Sequence, residues 1–290
     1  MRSLLFVPGD SEKKLAKGLE SGADALIIDL EDSVAAGRKE AARRLTAEVV
    51  AGAKAGPLLY VRVNDLSTGL TDDDLAAVVK AGPAGIMLPK SNSGEDVARL
   101  AVRLRVHEAE AGIADGATRI LPIITETPAG VLNAGTYAGA SERLSGLTWG
   151  AEDLSAEIGA VATRDEDGRY TDVFRFARIS TILAATAAEV APIDTVFPNF
   201  RDEEAFHRDC LEGARDGFTG RMAIHPVQVP VINAVFTPSP EAVAEARAVM
   251  DAFAAAGNPG VVAIDGKMYD RPHLKRAERL LARAGAAGLG

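Results

Sequence analysis

Cysteine is almost absent from this chain of 290 residues, because Cys210 is the only one. A disulfide bond within the chain is therefore excluded, and a single thiol is typical of a protein from a reducing cytoplasm. The sequence also lacks any apolar run approaching the roughly 18 residues that a membrane-spanning helix needs. Together these absences predict a cytoplasmic protein with no membrane partner.

Basic residues are fewer than acidic ones, 32 against 41, and the formal net charge is −9. A nucleic acid is therefore not expected as a partner, because binding a phosphate backbone needs a basic face. Aromatic residues make up only 5% of the chain and are too scattered to form a stacking platform. A small anionic ligand stays compatible with this charge, since it needs only a few local basic groups.

Hydrophobic residues are plentiful at 47%, and many fall in eight short runs separated by helical patterns. Most runs lack strict alternation of polar and apolar residues, which is typical of parallel strands buried on both faces. The runs are Ser3–Val7, Ala25–Leu30, Leu58–Val63, Gly85–Leu88, Arg119–Thr125, Leu147–Gly150, Ile193–Phe197 and Met222–His225. They recur about every 31 residues, close to the length of a βαβ unit. We therefore predict a (β/α)8 TIM barrel. An open doubly wound sheet is the alternative, disfavoured because no GxGxxG loop follows the first strand.

Several helix starts carry recognisable capping residues. Thr127-Pro128 and Ser239-Pro240 each have the pattern of an N-cap followed by proline at the first helical position. Thr71, followed by three aspartates, has the pattern of a capping box with aspartate in place of the usual glutamate or glutamine.

The sequence beyond the eighth predicted strand forms an addition to the barrel. Its pattern predicts helices at about 227–235 and 239–256, a stretch rich in glycine and proline, and a last helix from His273. We predict a barrel over residues 1–236 and a C-terminal helical extension over residues 237–290.

Polar side chains end nearly every predicted strand after the first. In barrels of this type the C-terminal ends of the strands form the mouth where the chemistry takes place. The residues there are Asp29, Glu31, Asp32, Arg62, Asn64, Lys90, Glu126, Glu152, Asp153, Asn199, His225 and Gln228. Acids dominate this set, and carboxylates that converge on one mouth repel one another unless a cation lies between them.

Glu126 and Asp153 follow neighbouring strands, so their carboxylates can reach a common ion. Oxygen ligands without cysteine and with little histidine favour Mg²⁺, which commonly takes one or two carboxylates and leaves its other positions to water and substrate. Arg62, two strands away, offers a planar fork for a substrate carboxylate. A metal beside an arginine suits a small 2-oxo acid, because the metal can take the keto and carboxylate oxygens while the arginine neutralises the anion.

Each of these side chains also has a structural interpretation. Glu126, Asp153 and Asp32 could each cap a following helix, and Arg62 could be an ordinary ion-pair partner. Lys90 could be a solvated residue of the rim. The sequence leaves these alternatives open.

Eight motifs in order carry a resemblance to a known family. They are Arg2–Gly9, Asp29–Val34, Val61–Asn64, Leu88–Lys90, Glu126–Gly130, Gly150–Leu154, Ile224–Gln228 and Asp265–Asp270. Each motif is weak alone, but together they cover essentially the whole chain. The sequence resembles the citrate lyase β-subunit-like family of the HpcH/HpaI aldolase/citrate lyase superfamily, which includes the malyl-CoA and citramalyl-CoA lyases.

The resemblance implies a barrel assembled as a homotrimer or hexamer. It implies Mg²⁺ on Glu126 and Asp153, with Arg62 holding the carboxylate of a 2-oxo acid. Glu31 and Asp32 would bind the waters of the metal rather than the metal itself.

The resemblance also implies that the C-terminal extension is a lid, which in this family can close over the barrel of a neighbouring subunit. Asp265 would be the lid acid that serves as the acid or base at the α-carbon of the thioester. The family usually has isoleucine or valine where Tyr269 stands here, a change expected to affect lid packing more than catalysis.

The expected reaction is the reversible cleavage of a 3-hydroxyacyl-CoA, such as malyl-CoA or citramalyl-CoA, to a 2-oxo acid and an acyl-CoA. Candidates for binding the coenzyme A phosphates, from position alone, are Lys13, Lys14, Arg38 and Lys39. Three alternatives stay open: a citrate lyase β subunit acting on a carrier-bound citryl thioester, a metal-dependent aldolase for free hydroxy-oxo acids, and a non-catalytic barrel scaffold. No residue visibly distinguishes glyoxylate from pyruvate, which differ by one methyl group.

Overall fold

The structure, a computed structural model, describes residues 1–53 and 55–289. Eight parallel strands form one sheet in the order β5-β4-β3-β2-β1-β8-β7-β6. The strands are β1 Ser3–Pro8, β2 Ala25–Asp29, β3 Leu58–Arg62, β4 Gly85–Leu88, β5 Arg119–Pro122, β6 Gly146–Thr148, β7 Ala191–Asp194 and β8 Gly220–Ala223. Parallel bridges from Ile120 to Leu144 and from Ile123 to Thr148 join the two ends of this order. The predicted (β/α)8 barrel is confirmed.

Helices alternate with the strands around the barrel. They are α1 Glu12–Leu19, α2 Lys39–Gly52, α3 Thr71–Val78, α4 Gly94–Ala111, α5 Pro128–Leu132, α6 Ala151–Ile158, α7 Asp172–Ala187, α8 Glu203–Asp216 and α9 Gln228–Phe236. Within the described ranges, no helix combines the length and the apolar composition that spanning a membrane requires.

The barrel interior is filled by side chains from most of the strands, so it is a packed core rather than a pore. The buried residues of this core cluster are Leu4, Ala25, Ile27, Tyr60, Met87, Leu121, Ile123, Ile193 and Met222. Every residue of β2 and of β4 is buried, as expected for parallel strands covered on both faces.

The last two barrel strands begin and end about two residues earlier than the apolar runs predicted. β7 contains Pro192 and β8 contains Arg221, neither of which belongs to an apolar run. Arg221 is nevertheless fully buried, because its guanidinium pairs with Asp194 and Asp209. A charged residue can therefore occupy a core strand when acids beside it supply the countercharge.

Two of the three predicted helix caps are present. The Thr127 hydroxyl accepts a hydrogen bond from the Gly130 amide at 3.0 Å, and the Ser239 hydroxyl accepts one from the Ala242 amide at 3.2 Å.

The predicted capping box at Thr71 is wrong, although α3 does begin at that residue. The Thr71 hydroxyl donates to the carbonyls of Asn64 and Asp65 at 3.0 and 2.9 Å instead of accepting from the helix. Asp74, the residue in the box position, is buried and accepts hydrogen bonds from Asn64 and Arg43. These tertiary contacts give the two side chains better partners than the helix amides.

The chain divides into two compact units, residues 1–233 and the residues from 234 onward. The second unit contains α10 Pro240–Ala255, a hairpin of β9 Val261–Ile264 and β10 Lys267–Asp270, and α11 Arg271–Ala286. Its core cluster consists of Ala246, Val249, Phe253, Val262, Leu274 and Ala277. The division into a barrel over residues 1–236 and a lid-forming extension over residues 237–290 stays a prediction.

The hairpin of the second unit was not predicted from the sequence. Asp265 and Gly266 form its turn with φ of 49° and 77°, and Asp-Gly is a strong signal for this type of turn. β9, Val-Val-Ala-Ile, is entirely apolar and carried a strand signal, whereas β10, Lys-Met-Tyr-Asp, has a charged residue at each end and no apolar run. The last helix begins at Arg271, two residues before the predicted start.

Candidate active site

A cavity of about 890 Å³ opens at the C-terminal ends of the barrel strands. Its wall contains the predicted site residues Arg62, Glu126 and Asp153 together with Asp29. Lys14 and Lys17 on α1 border the same cavity. The alternation of strands and helices brings these residues together although they are far apart in sequence.

Arg62 is held in a fixed orientation by Asp29. The two residues are register partners at the ends of β3 and β2, so their side chains lie next to each other. Nε and Nη2 of Arg62 donate to the two oxygens of Asp29, each at 2.7 Å, and the guanidinium lies 4.9 Å from the centre of the Phe6 ring. Burial would lower the pKa of Arg62, but its bonds to Asp29 and the charge of Glu31 outweigh burial and raise it. Arg62 is therefore a fixed cation at the cavity wall.

Glu126 follows β5 and is 2% exposed. Burial, then the charge of Asp153, raise the pKa of Glu126 to about 8, although the Lys90 amide donates to its carboxylate at 2.5 Å. Gly150 allows this close packing, since a Cβ there would lie 2.7 Å from Cγ of Glu126. A buried carboxylate next to a second one is a group that a divalent cation would stabilise in its charged form.

Asp153 lies in the first turn of α6, directly after β6. Its side chain is 32% exposed, and one carboxylate oxygen lies 3.4 Å from Nζ of Lys90. Because the charge of Asp153 is the second cause of the raised pKa of Glu126, the two carboxylates are electrostatic neighbours, as their strand order predicts.

Lys90 contacts more of the acidic residues than any other side chain of the site. Its Nζ pairs with Glu31 and lies 3.4 Å from both Asp32 and Asp153. Its backbone has φ of 49°, a left-handed conformation that costs free energy in a residue other than glycine. This conformation places the amide at Glu126 and the ammonium group among the carboxylates, so the interpretation of Lys90 as a solvated rim residue is wrong.

Glu31 and Asp32 lie in this acidic group but differ in exposure. The Glu31 side chain is 5% exposed, and its Oε2 lies 3.0 Å from Nη1 of Arg62 without the alignment of a hydrogen bond. Asp32 is 60% exposed. A buried carboxylate oxygen with no hydrogen-bond donor can accept from a water molecule, which is compatible with the predicted role of Glu31 next to a hydrated ion.

None of the three acids that could have capped a helix does so. Thr127 caps α5, and no side chain caps α6 at its N-cap Gly150. The first helix after Asp32 is a 3-10 turn over Ala36–Arg38 whose N-cap is Ala35, and α2 follows from Lys39. The helix-cap interpretation of Glu126, Asp153 and Asp32 is therefore wrong.

The oxygen donors of the site fit a magnesium ion better than a transition metal. In the described part of the chain, no three His, Cys, Asp or Glu side chains are grouped to hold a metal by themselves. Mg²⁺ does not need such a group, since it commonly binds one or two carboxylates and retains several waters. Glu126 and Asp153 are the pair that would hold it, for two reasons: Glu126 is buried with a raised pKa, and Glu31 beside them has a carboxylate oxygen without a donor.

Asp265 belongs to the second compact unit, where it is exposed in the turn between β9 and β10. Its predicted role as the acid or base at the α-carbon stays a prediction.

Two of the basic residues considered for coenzyme A phosphates already have protein partners. Nζ of Lys39 donates to the carbonyls of Leu30 and Glu31 and to Asn64 Oδ1, at 2.6 to 2.8 Å, and Arg38 pairs with Asp10 at 3.4 Å. Lys39 is therefore a structural residue, which its position in the sequence could not reveal.

Asp29 is the residue of the candidate site whose role the sequence does not reveal. The sequence shows it only as a polar residue at a strand end, because its pairing with Arg62 depends on the register of β2 and β3. A fixed arginine and two neighbouring carboxylates at the C-terminal ends of the strands lie where (β/α)8-barrel enzymes have their active sites, so the fold and the site define an enzyme of this class.

Comparisons with known proteins identify the family. The model of the HpcH/HpaI aldolase/citrate lyase family matches residues 2–226. The chain is 36% identical to citrate lyase subunit β of Escherichia coli, over 99% of this chain and 94% of that protein. It is 35% identical to the (3S)-malyl-CoA thioesterase of Cereibacter sphaeroides, over 98% and 95%. The chain belongs to the HpcH/HpaI aldolase/citrate lyase family, and the resemblance inferred from its motifs is confirmed.

Solved structures of relatives agree with this assignment. Protein CitE of Mycobacterium tuberculosis, crystallised with magnesium, acetoacetate and coenzyme A, has a TM-score of 0.77 and 34% identity, covering 98% of each chain. A citrate lyase β subunit from the same organism, complexed with oxaloacetate and magnesium, has a TM-score of 0.69 and 32% identity. That structure covers 81% of this chain, and this chain covers 96% of it.

Proposed function

We propose that the protein is a magnesium-dependent carbon–carbon lyase that cleaves or forms a 3-hydroxyacyl-CoA, such as malyl-CoA or citramalyl-CoA. The products of cleavage would be a 2-oxo acid and an acyl-CoA. The observation that carries the proposal is the placement of Arg62, Glu126 and Asp153 around one cavity, with Arg62 fixed by Asp29. Relatives crystallised with magnesium, with coenzyme A and with small oxo acids support it.

The arrangement suggests a role for each part of the site. Arg62 binds the carboxylate of the 2-oxo acid and neutralises its charge. Glu126 and Asp153 hold Mg²⁺, which when bound stabilises negative charge on the oxygen that becomes the keto group. Lys90 fixes the carboxylates by pairing with Glu31 and Asp153.

In the cleavage direction the hydroxyl proton of the substrate passes to a base, and the hydroxyl oxygen becomes the keto oxygen. The carbon–carbon bond breaks, and its electron pair passes to the α-carbon of the thioester as an enolate. Asp265 donates a proton to that carbon, or removes one in the direction of condensation. Closure of the C-terminal extension as a lid would exclude water.

Coenzyme A would enter along the side of the cavity that α1 forms. Lys14 and Lys17 border the cavity there and can pair with phosphate groups. The sequence predicts Lys14 as a candidate for this role, whereas only the position of Lys17 at the cavity indicates that residue.

Three related activities compete with this proposal, each favoured by a relative or by the family itself. The Escherichia coli relative is a citrate lyase subunit β, which favours a carrier-bound citryl thioester. The Cereibacter sphaeroides relative is a thioesterase, which favours hydrolysis of malyl-CoA. The family also includes aldolases, which favours free hydroxy-oxo acids as substrates. A non-catalytic scaffold is disfavoured because the acidic residues and Arg62 are all present and grouped.

The purified protein should be tested on a panel of substrates with and without Mg²⁺, with products identified by mass. We expect Mg²⁺-dependent release of glyoxylate or pyruvate from malyl-CoA or citramalyl-CoA, abolished by EDTA. Free malate without glyoxylate would indicate a thioesterase, and cleavage of free hydroxy-oxo acids an aldolase. Inactivity on both CoA esters, together with cleavage of a citryl thioester only when carrier and partner subunits are added, would replace the proposal by the citrate lyase alternative.

We also propose that the chain forms a homotrimer or hexamer, as its family resemblance implies. A row of exposed apolar side chains along one face of α7 supports an interface there. Val173, Phe176, Ile179 and Leu183 are 51%, 56%, 49% and 64% exposed, at spacings that place them on one side of the helix. A second copy of this chain is the proposed occupant. The cytoplasmic location stays a prediction.

Substitutions among these four exposed apolar residues of α7 test whether this helix forms the interface. Phe176→Glu combined with Leu183→Glu is expected to convert the oligomer into a monomer, because charges in an apolar interface are desolvated without a partner. The mass in solution, measured by light scattering, should fall to about a third or a sixth. Val102→Glu with Val106→Glu, two exposed valines on α4, is the matched control and should leave the mass unchanged. An unchanged mass in the α7 variant would contradict an interface on this helix.

A further inference from the structure

A cluster of buried charges lies between the barrel and helices α7 and α8, outside the proposed chemistry. We call Asp194, Arg178, Arg221, Asp209 and Arg164 the Asp194 cluster. Arg178 lies 2.6 Å from Asp194, Arg221 lies 2.6 Å from Asp209, and Arg164 lies 2.9 Å from Asp209. Asp194 and Arg221 are fully buried.

Stability alone is a weak explanation for the Asp194 cluster. Burying ion pairs costs desolvation free energy that their attraction often fails to recover. Here three arginines face two buried aspartates and the half-exposed Glu212, and Nε of Arg178 and of Arg221 have no hydrogen-bond partner. Replacing buried ion pairs by apolar residues of similar volume is often neutral or stabilising, so a role of the cluster in fixing structure elsewhere is the better explanation.

The cluster connects to the active site through Trp149. The indole Nε1 of Trp149 donates to Oδ1 of Asp194 at 2.7 Å, while Oδ2 of Asp194 is held by Arg178. Tyr170 packs edge-on against the indole with ring centres 5.0 Å apart, and Arg164 lies 3.6 Å above the Tyr170 ring. Trp149 borders the cavity but is inaccessible to solvent, so its side chain packs beneath the residues that form the cavity surface.

The turn that follows Trp149 positions both carboxylates that are proposed to bind the metal. Gly150, the next residue, donates its amide to Thr125 at 3.2 Å and lies so close to Glu126 that no Cβ would fit between them. Asp153 follows in the first turn of α6. A shift of the indole would therefore move Gly150 against Glu126 and change the position of Asp153.

We propose that Asp194, acting through the indole of Trp149, is a positioning residue for the carboxylates of Glu126 and Asp153. The inference rests on the proposed function, since it concerns the magnesium-binding pair. Asp194 contacts no substrate; it sets where the turn between β6 and α6 lies. Arg178 and Arg221 pair with Asp194, and Asp194 holds the indole through the hydrogen bond that it accepts.

The test is the dissociation constant of Mg²⁺, measured by calorimetry without any substrate. Trp149→Phe keeps an aromatic ring and every ion pair of the cluster but removes the donor to Asp194. We expect Mg²⁺ to bind about tenfold more weakly, the lower end of what loss of an outer-shell partner costs a metal site. Tyr60→Phe, which removes a buried hydroxyl from the barrel interior, is the matched control and should leave Mg²⁺ affinity unchanged.

A second variant separates positioning from stability. In Asp194→Asn the amide oxygen can keep accepting from the indole and from the Thr195 amide, while the amide nitrogen then faces Arg178 and cannot accept from it, so the ion pair is lost. We expect a lower melting temperature with Mg²⁺ affinity within about threefold of the wild type, the reverse of the Trp149→Phe pattern.

The inference and the proposed function fail in different ways. Wild-type affinity in Trp149→Phe, while Glu126→Gln loses binding, would overturn the inference and leave the metal site intact. Absence of Mg²⁺ binding in the wild type would overturn both.

Discussion

Glu126→Gln is expected to lower Mg²⁺-dependent turnover by about 10²- to 10³-fold, comparable to the loss of a principal electrostatic stabiliser in other active sites. The substitution is nearly isosteric but removes the negative charge that would hold the cation beside Asp153. The buried position of Glu126 makes it poorly replaceable by water. Steady-state release of 2-oxo acid at saturating Mg²⁺, together with calorimetric Mg²⁺ titration, measures both effects.

Glu108→Gln is the matched control for this prediction. Glu108 is as buried as Glu126, but it pairs with Arg143 and accepts from the Thr118 amide, away from the cavity. We expect Glu108→Gln to lower the melting temperature and to leave Mg²⁺ affinity unchanged, because removing one partner of a buried pair costs stability. Wild-type turnover in Glu126→Gln would refute Glu126 as a metal ligand.

Arg62→Lys is expected to lower kcat/KM by about 100-fold, mostly through weaker binding of the 2-oxo acid. Lysine keeps the positive charge but cannot bind Asp29 through two parallel N–H bonds while facing a substrate carboxylate. Loss of a hydrogen bond to a charged group costs about 1.5–3 kcal/mol, which corresponds to roughly 10- to 150-fold. Initial rates in the condensation direction, with the 2-oxo acid varied, measure the effect.

Arg43→Lys provides the same chemical change outside the cavity. Arg43 is 14% exposed and binds Asp74 at 2.6 Å, much as Arg62 is 12% exposed and binds Asp29 at 2.7 Å. We expect Arg43→Lys to leave the KM for the 2-oxo acid unchanged. An equal loss of kcat/KM in both variants would show that Arg62 supports the fold rather than the substrate.

Much of the candidate site followed from strand order alone. Glu126 and Asp153 follow neighbouring strands of a parallel barrel, and such a barrel brings strand ends to one mouth, so their proximity was predictable. The electrostatic coupling of the two carboxylates agrees with that prediction. The helix caps at Thr127 and Ser239 were also predictable from the sequence, because a cap depends on residues within one turn of helix.

Other features depended on contacts that no local pattern contains. Thr71 and Asp74 form no capping box, since Asn64 and Arg43 bind them from elsewhere in the fold. Lys39 looked available for a phosphate but is bound by two carbonyls and Asn64. In each case a distant partner offered a stronger interaction than the local one.

The sequence by itself determined the barrel and the family. It also predicted that the residues at the barrel mouth suit a magnesium ion and a 2-oxo acid. Periodicity, spacing and motif order are properties of a linear chain, so they can be read without the fold. Tertiary structure alone decided that Asp29 fixes Arg62, that Lys90 pairs with the carboxylates, and that Asp194 accepts a hydrogen bond from Trp149. These contacts join residues 33 to 63 positions apart, and their geometry depends on strand register and side-chain packing. Register and packing are set by the whole folded chain, so no stretch of sequence contains them.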